Sequence, residues 1–462
     1  MNQPLDTLVV GAGLTGLTLG WHLVNAGRTV LLCEATNRVG GAISTSEADG
    51  FILEGGPNAL QETPELSQLV QKIGMAERLL YADSRLPRYV WWDSQLRAVP
   101  RNVPQFLRSD LLSWFGKARL LFEPFVPRLE EEREETVTEF VRRRLGDEAL
   151  TRLIDPFVSG IYAGDPGQLG AAAAFPELTA CERETGSLLR AKLQAGRTGT
   201  RAVRRVCSFR SGLRELPEVL AVRLGECLRR EHQVVGLERA GDYWRVIITH
   251  RDHSLSILAR SVVLTVPAYV SAQLLQPLDN SLGRSLESIY YPPVAVLNLG
   301  YPVANLPRAL DGFGHLIPRG QGMRTLGGIW SSSLFAQRAP EGWCQITCFI
   351  GGTTDPSSQD LSERELVRLA HRDLQQVLGL RGAPKVLAIT RWPRAIPQYA
   401  LGHLHKQMRV EARLTGLQGI FLAGNYFGGV SLGDCVVRAQ VQAGQVQTYL
   451  GSVSSQASLR SA

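Results

Sequence analysis

The sequence predicts a mixed α/β fold divided into several lobes, and three features predict it. At 462 residues the chain is about three times the length that one hydrophobic core commonly serves. Its charges nearly balance, with 50 Lys and Arg against 43 Asp and Glu, and 44% of residues are hydrophobic. That composition excludes a disordered or acidic-tail protein. Residues 5–33 run from apolar strand to glycine turn, helix and second strand, which is how a parallel sheet begins.

Other classes drop out on simple grounds. No run of 18 apolar residues occurs, so no helix is expected to span a bilayer. No charged leader precedes the apolar strand at Leu5, so no secretory signal is expected. The seven cysteines (33, 181, 207, 227, 344, 348, 435) are scattered and lack a C-x-x-C pair. A disulfide framework and structural zinc are therefore not expected, nor is any other metal.

The first element is a buried strand, residues 5–10, followed by Gly11-Ala12-Gly13-Leu14-Thr15-Gly16 and a helix that closes at Gly27. A second strand from Thr29 to Cys33 ends at Glu34. Gly11 allows the tight turn, Gly13 a close backbone approach to a pyrophosphate, and Gly16 close helix–strand packing. The helix N-terminus faces the phosphates, and Glu34 can accept ribose hydroxyls. The cofactor is then FAD or NAD. Arg38, Gly40 and Gly41 follow, and Phe51–Asn58 supplies a short strand and a turn ending Gly56-Pro57-Asn58.

Residues 86–92 read as a strand carrying Arg88, with Arg85 and Arg97 as competing cations. Residues 100–127 carry ten large apolar side chains, with Arg108, Lys117 and Arg119 among them. That pattern suits an amphipathic helix on a bilayer surface, or a buried helix of a helical insert. Residues 130–135 (EEEREE) read as a solvated helix face. Between Arg183 and Arg214 nine Lys and Arg meet one acid, Glu184, so the excess positive charge is local. Gly196–Thr200 reads as a solvated loop within it; the block carries no aromatic interleaving beyond Phe209, and nucleic acid is not expected. Anionic lipid head groups or an acidic substrate are its alternative partners.

Val234-Val235 and residues 261–267 read as further strands, and Gly419–Leu422 as a strand entering a glycine-rich turn before a helix. That turn holds Gly424, Asn425, Gly429, Val430 and Ser431. A helix entry there would place a positive dipole end beside the cofactor. None of the eight histidines clusters with acids.

These parts together resemble the glutathione-reductase-like FAD fold of the amine oxidase, desaturase and protoporphyrinogen oxidase superfamily. Three islands are similar to the oxygen-dependent protoporphyrinogen oxidase family: Gly55–Gln61 (GGPNALQ), Asp155–Pro166 with Ala174-Phe175-Pro176, and Ile396–His403 ahead of Leu422–Tyr426. The resemblance covers nearly the whole chain. One departure is Ala42, where many members carry an arginine after the paired glycines.

The resemblance implies a Rossmann FAD domain, a mixed-sheet substrate domain and a helical, membrane-associated insert. The FAD domain would comprise residues 1–85, 205–272 and 405–462 with the tail, the substrate domain 86–100 and 273–404, and the insert 101–204. FAD would lie against the glycines above together with Leu14, Thr15, Glu34, Arg38, Pro57, Asn58, Val234, Asn425, Val430 and Ser431. The implied reaction removes six electrons from protoporphyrinogen in three FAD turnovers, with O2 reduced to hydrogen peroxide, in heme and chlorophyll biosynthesis. Arg88 would hold a propionate, Phe313, Leu316, Ile329 and Phe349 would wall the macrocycle, and the Gly160 carbonyl would orient the pyrrole N–H groups.

The implied setting is peripheral attachment on the cytoplasmic side of a membrane. A ferrochelatase or other next enzyme and a second copy in a homodimer are further implied partners. Coproporphyrinogen III as substrate, a carotenoid desaturase, and a non-catalytic binder retaining the fold stay open. An amine oxidase fits less well, because residues 290–301 contain no lysine.

Overall fold

The computed structural model describes residues 3–128, 133–198 and 205–460, with side chains described except at 195–198 and 454–460. Two seven-stranded sheets organise it. In the first, Leu5–Val10 lies between Val30–Cys33 and His253–Leu264, parallel to both. Its last four residues are buried, as expected of a strand covered on both faces. His253–Leu264 serves two pairings. Its first half closes an antiparallel meander with Tyr243–His250 and Gln233–Ala240, and its second half takes Ile420–Leu422 as a parallel neighbour.

Helices Leu14–Asn25, Glu215–Leu224 and Leu432–Arg460 share a core on one face of this sheet. Helices Ala268–Leu275 and Asn280–Glu287 pack on the other. This is the doubly covered parallel arrangement expected of a mixed α/β nucleotide fold.

The second sheet runs in the order 385–392, 294–302, 343–351, 325–329, 314–316, 88–92, 95–98. The strand carrying Arg88 thus joins strands more than 200 residues later. One face, with Leu297, Leu299, Ile346, Cys348 and Ile350, packs on the helix Glu363–Leu378. That helix starts at a Ser362/Glu365 capping box and stops at Gly379, whose φ is +66°.

The described residues between 103 and 198 are helical and irregular, with their own core of Val137, Phe140, Val141, Val158, Tyr162 and Leu169. Four expectations change here. The apolar segment is two short helices, Val103–Arg108 and Trp114–Leu121, because Asn102 and Ser113 each cap a new start while Ser109 leaves helical geometry. Two of its three cations turn inward: Lys117 donates to Leu107 O and sits over Trp114, and Arg119 donates to Arg144 O, whereas Arg108 is exposed. The acidic run is not a solvated helix face where described, since Glu135 is buried against Arg143 and Glu134 accepts the Gly402 N–H. The expected loop at 196–200 is helical through Thr198, and residues 199–204 lie outside the described residues.

Candidate active site

Around the first glycine turn the backbone is packed on one side and open on the other. Gly11 has φ +100°, and its N–H donates to Cys33 O at 2.8 Å. A Cβ at Gly16 would fall 2.0 Å from Gly11 O, so this position admits only glycine. At Gly13 a Cβ would find only Gly41 Cα, at 3.9 Å. Gly13 also caps the helix Leu14–Asn25 without a side-chain acceptor, so the first-turn amides of Leu14 and Thr15 have none there.

Opposite lies the loop of Gly40 and Gly41. Gly40 N donates to Ala12 O at 2.8 Å, and Gly40 bridges Gly13. Arg38 turns to this same loop, donating to Ile43 O at 2.6 Å and Gly41 O at 2.8 Å. Glu34 Oε1 accepts from Thr36 N and Oγ1, while Oε2 accepts, among the described residues, only from Ala12 N, at 2.8 Å. Oε2 therefore keeps a lone pair for a ribose hydroxyl. Buried Val234 follows His232, whose N–H donates to Glu34 O. An open glycine cradle, uncapped helix amides and a part-satisfied acid at the second strand's end fit the adenosine diphosphate of FAD.

The turn Gly55–Asn58 joins this half to the second sheet. Trp392 Nε1 donates to Gly55 O at 2.7 Å, a Cβ at Gly56 would lie 2.2 Å from Ala42 O, and Asn58 Nδ2 donates to Gly56 O at 3.1 Å. Pro57 stiffens the turn between them. Asn58 and Ile329 line one small internal cavity together with Glu54 and Arg338. Glu54 is buried, and desolvation raises its pKa against opposing bonds from Thr45 and Leu213 N and the nearby charge of Arg338. Its carbonyl accepts Asn298 Nδ2 from the second sheet at 3.1 Å.

The C-terminal turn follows Ile420–Leu422, where Ala423 N donates to Leu264 O. Gly424 packs against the Tyr426 ring, and Gly429 has φ +118°. Ser431 and Asp434 bond reciprocally at the start of Leu432–Arg460, and Val430 packs against the core of the helical segment.

On the second sheet, Arg88 pairs with Gly314, Gly314 with Ile329, and Leu316 with Gly327, which pairs with Phe349. Side chains two residues apart share a face. Arg88, Leu316, Ile329 and Phe349 therefore lie on the face turned from the helix Glu363–Leu378. Leu316, Ile329 and Phe349 are each partly exposed between buried neighbours, and Phe313 is partly exposed at the strand's start.

Of the three candidate cations, Arg85 is engaged by Asp83, and Arg97 by Asp93, Asp110 and Trp92 O. The Arg88 side chain has no hydrogen-bond or ion-pair partner among the described residues; its guanidinium carbon lies 4.8 Å from the Phe313 ring centroid. The residue as a whole is exposed, while partial desolvation of the guanidinium, and then the charge of Arg101, lowers its pKa from the usual guanidinium value.

Gly160 lies on the helix Asp155–Tyr162, where a Cβ would meet Leu316 Cδ2 at 2.7 Å. The helix ends at Ala163, φ +47°. Ser159 O accepts Ala163 N and Tyr162 O accepts Gln398 Nε2, which leaves Gly160 O among the last-turn carbonyls beyond the helical ladder. Asp155, at the other end, pairs with Arg319 and ties the helix to the end of the strand Gly314–Leu316.

Two buried histidines are held neutral, His315 and His403, both pushed down to about 4 by burial. Neither is aimed at Arg88, and no group of three or more His, Cys, Asp or Glu among the described residues could hold a metal. Trp392 and Asn298 are contributors that the sequence reading missed, because their partners lie about 240 residues or more away in the chain. Only the Gly55–Asn58 motif hinted that something must pack against it.

The profile of the flavin-containing amine oxidoreductase family matches residues 14–447. Chloroplastic protoporphyrinogen oxidase 1 of Spinacia oleracea is 38% identical over 484 residues, covering 97% of this chain and 85% of that protein. Coproporphyrinogen III oxidase of Bacillus subtilis (strain 168) is 28% identical over 469 residues, covering 96% and 98%. A crystal structure from Exiguobacterium sp. 255-15, provisionally named a protoporphyrinogen oxidase, superposes with a TM-score of 0.81 at 26% identity, covering 96% of this chain and 98% of that one.

Proposed function

The chain belongs to the flavin-containing amine oxidoreductase family and is an FAD-dependent oxidoreductase, and from that premise we propose that it oxidises protoporphyrinogen IX to protoporphyrin IX. One observation carries the choice of substrate: Arg88 stands unpaired over Phe313, on the sheet face that also holds Leu316, Ile329 and Phe349. A flat apolar disc with carboxylate arms matches that chemistry. The protoporphyrinogen oxidase of Spinacia oleracea at 38% identity, against 28% for the coproporphyrinogen oxidase, supports the vinyl-bearing substrate over the tetrapropionate one.

Bound FAD supplies a two-electron acceptor, so three turnovers withdraw the six hydrogens that separate the two macrocycles. Arg88 binds a propionate through its guanidinium fork. Phe313, Leu316, Ile329 and Phe349 exclude water from the rings. The Gly160 carbonyl accepts a pyrrole N–H and fixes the macrocycle's rotation, which matters because withdrawal from one meso carbon requires close alignment. No side-chain acid or base is assigned.

The reading extends to the setting. O2 takes the electrons and leaves as hydrogen peroxide, one molecule per turnover. Trp114, Phe115, Phe122 and Phe125, each more than 60% exposed, support a monotopic seat on the cytoplasmic face of a membrane. No described helix is long and apolar enough to cross one. The next enzyme of the pathway and a second copy are the protein partners of this reading. Residues 1–85, 205–272 and 405–462 form its FAD domain, 86–100 and 273–404 its substrate domain, and 101–204 its insert.

Anaerobic addition of protoporphyrinogen to the purified yellow protein tests the assignment. Loss of the flavin's visible absorption is expected, and an unchanged spectrum would contradict it. A bleaching rate higher with coproporphyrinogen would reassign the substrate.

A further inference from the structure

The segment Ile396–His403 lies between the helical segment and the C-terminal glycine turn, and the reaction described above makes no use of it. At its centre Tyr399 is 1% exposed. Its hydroxyl donates to Asn425 O at 2.6 Å and accepts the Gly429 N–H at 3.0 Å. One oxygen thus closes a five-residue loop across its two ends.

The rest of the residue is fixed as firmly. Its carbonyl accepts the Gly170 N–H at 2.8 Å, so the backbone belongs to the helical segment while the hydroxyl belongs to the turn. Its ring stacks on His403, centroids 4.3 Å apart and planes 15° from parallel, and meets Tyr162 edge-on at 5.9 Å. His403 adds a second tie to the same loop, with Nε2 donating to Tyr426 O at 2.9 Å. Burial raises the Tyr399 phenol well above its usual pKa, so the proton needed for the Asn425 bond is retained at neutral pH.

We infer that Tyr399 is a positioning residue for the flavin: its hydroxyl pins the Asn425–Gly429 loop and thereby aims the Val430-Ser431 entry of the helix Leu432–Arg460. The inference rests on the FAD assignment. Gly429 needs such a pin. Its φ of +118° is open to glycine almost alone, and a glycine peptide without that bond has more conformations to sample than any other. A phenylalanine would keep the ring in its stack and leave two part-buried backbone groups without that partner.

Tyr399→Phe tests this, with Tyr162→Phe as control. Tyr162 is a buried phenol of the same aromatic cluster, but its hydroxyl donates to Ala174 O, away from the turn. Tyr399→Phe is expected to release FAD about tenfold more readily on dilution and to alter the flavin's visible absorption envelope. Tyr162→Phe is expected to do neither. Wild-type retention and spectrum in Tyr399→Phe would overturn the inference, as would an equal change in Tyr162→Phe, which would mean general loosening. Should Tyr399→Phe fail to accumulate, hydrogen exchange at the Gly429 amide of the wild-type holoprotein decides: protection supports the pin, free exchange overturns it. A wild-type protein that purifies without flavin would overturn the FAD assignment first and this inference with it.

Discussion

The guanidinium carbon of Arg88 lies 4.8 Å from the centre of the Phe313 ring, and nothing else among the described residues pairs with that cation. An aromatic face steadies a cation without consuming its in-plane donors. In the proposed function the pair is a carboxylate receptor next to an apolar wall. Arg88→Ala is expected to raise the apparent KM by the worth of a charge-assisted bond, about 1.5–3 kcal/mol, with a smaller effect on kcat. Steady-state kinetics check this, and an unchanged KM would remove Arg88 from the site. Arg85→Ala is expected to leave KM unchanged, since Asp83 already occupies that side chain.

Gly13 and Gly16 are expected to fail differently. Gly13→Val puts its side chain into the open space of the cradle, so the protein should fold and purify without flavin. Gly16→Ala drives a methyl into Gly11 O and should reduce soluble yield itself. The ratio of flavin absorbance to protein absorbance separates the two. A Gly13→Val protein with full flavin would contradict the nucleotide site.

Gly160→Ala places a methyl 2.7 Å from Leu316 Cδ2, the movable end of a side chain. In the proposed function Leu316 gives way toward the space assigned to the macrocycle. The variant is expected to keep its flavin and lose about tenfold or more in kcat/KM, an effect that Leu316→Ala should partly relieve. Kinetics on the double variant read this coupling.

Stability should fall on acidification below about pH 6.5, the ordinary histidine value. His315 and His403 are held near 4 in the fold, whereas the unfolded chain protonates them from about 6.5 downward. Between those values the unfolded state binds more protons, so stability rises with pH and is lost as pH falls. Each site contributes about 1–3 kcal/mol to that loss. A melting temperature flat from pH 7 to pH 5 would contradict it, and His315→Gln should flatten the curve if its amide replaces the bond to Trp330 Nε1.

The exposed aromatic surface offers a separate test. Replacing Trp114, Phe115 and Phe125 with serine should abolish sedimentation with anionic vesicles and leave the melting temperature within a degree or two. These side chains are 73%, 81% and 77% exposed and contribute little to the core. Vesicle binding equal to the wild type would place the contact elsewhere.

Legibility in the sequence followed the range of the interactions. The turn Gly11–Gly16, the acid at Glu34 and the helix after Ser431 are local devices with fixed spacing, and they stand where the spacing put them. The choice of Arg88 over Arg85 and Arg97 came from the family resemblance and not from spacing, because it depends on which acids fold back onto them. The broken helices at 103–121 were missed for a related reason: apolar periodicity carried the reading across Ser113, whose capping bond to Gly116 N starts a new helix. Lys117 and Arg119 reach backbone carbonyls of neighbouring turns and helices, which the pattern, open to a bilayer-surface helix or a buried one, did not distinguish.

The central claim is that bound flavin draws electrons from a reduced tetrapyrrole held against Arg88. Porphyrin fluorescence tests it most directly, because emission appears only when the macrocycle becomes aromatic. With flavin-loaded protein and protoporphyrinogen in air, fluorescence should rise with turnover and with hydrogen peroxide in a 3:1 ratio to porphyrin, and without oxygen it should stop at no more than one porphyrin for every three flavins. Flavin-loaded protein that leaves both protoporphyrinogen and coproporphyrinogen no more fluorescent than buffer does would contradict the account.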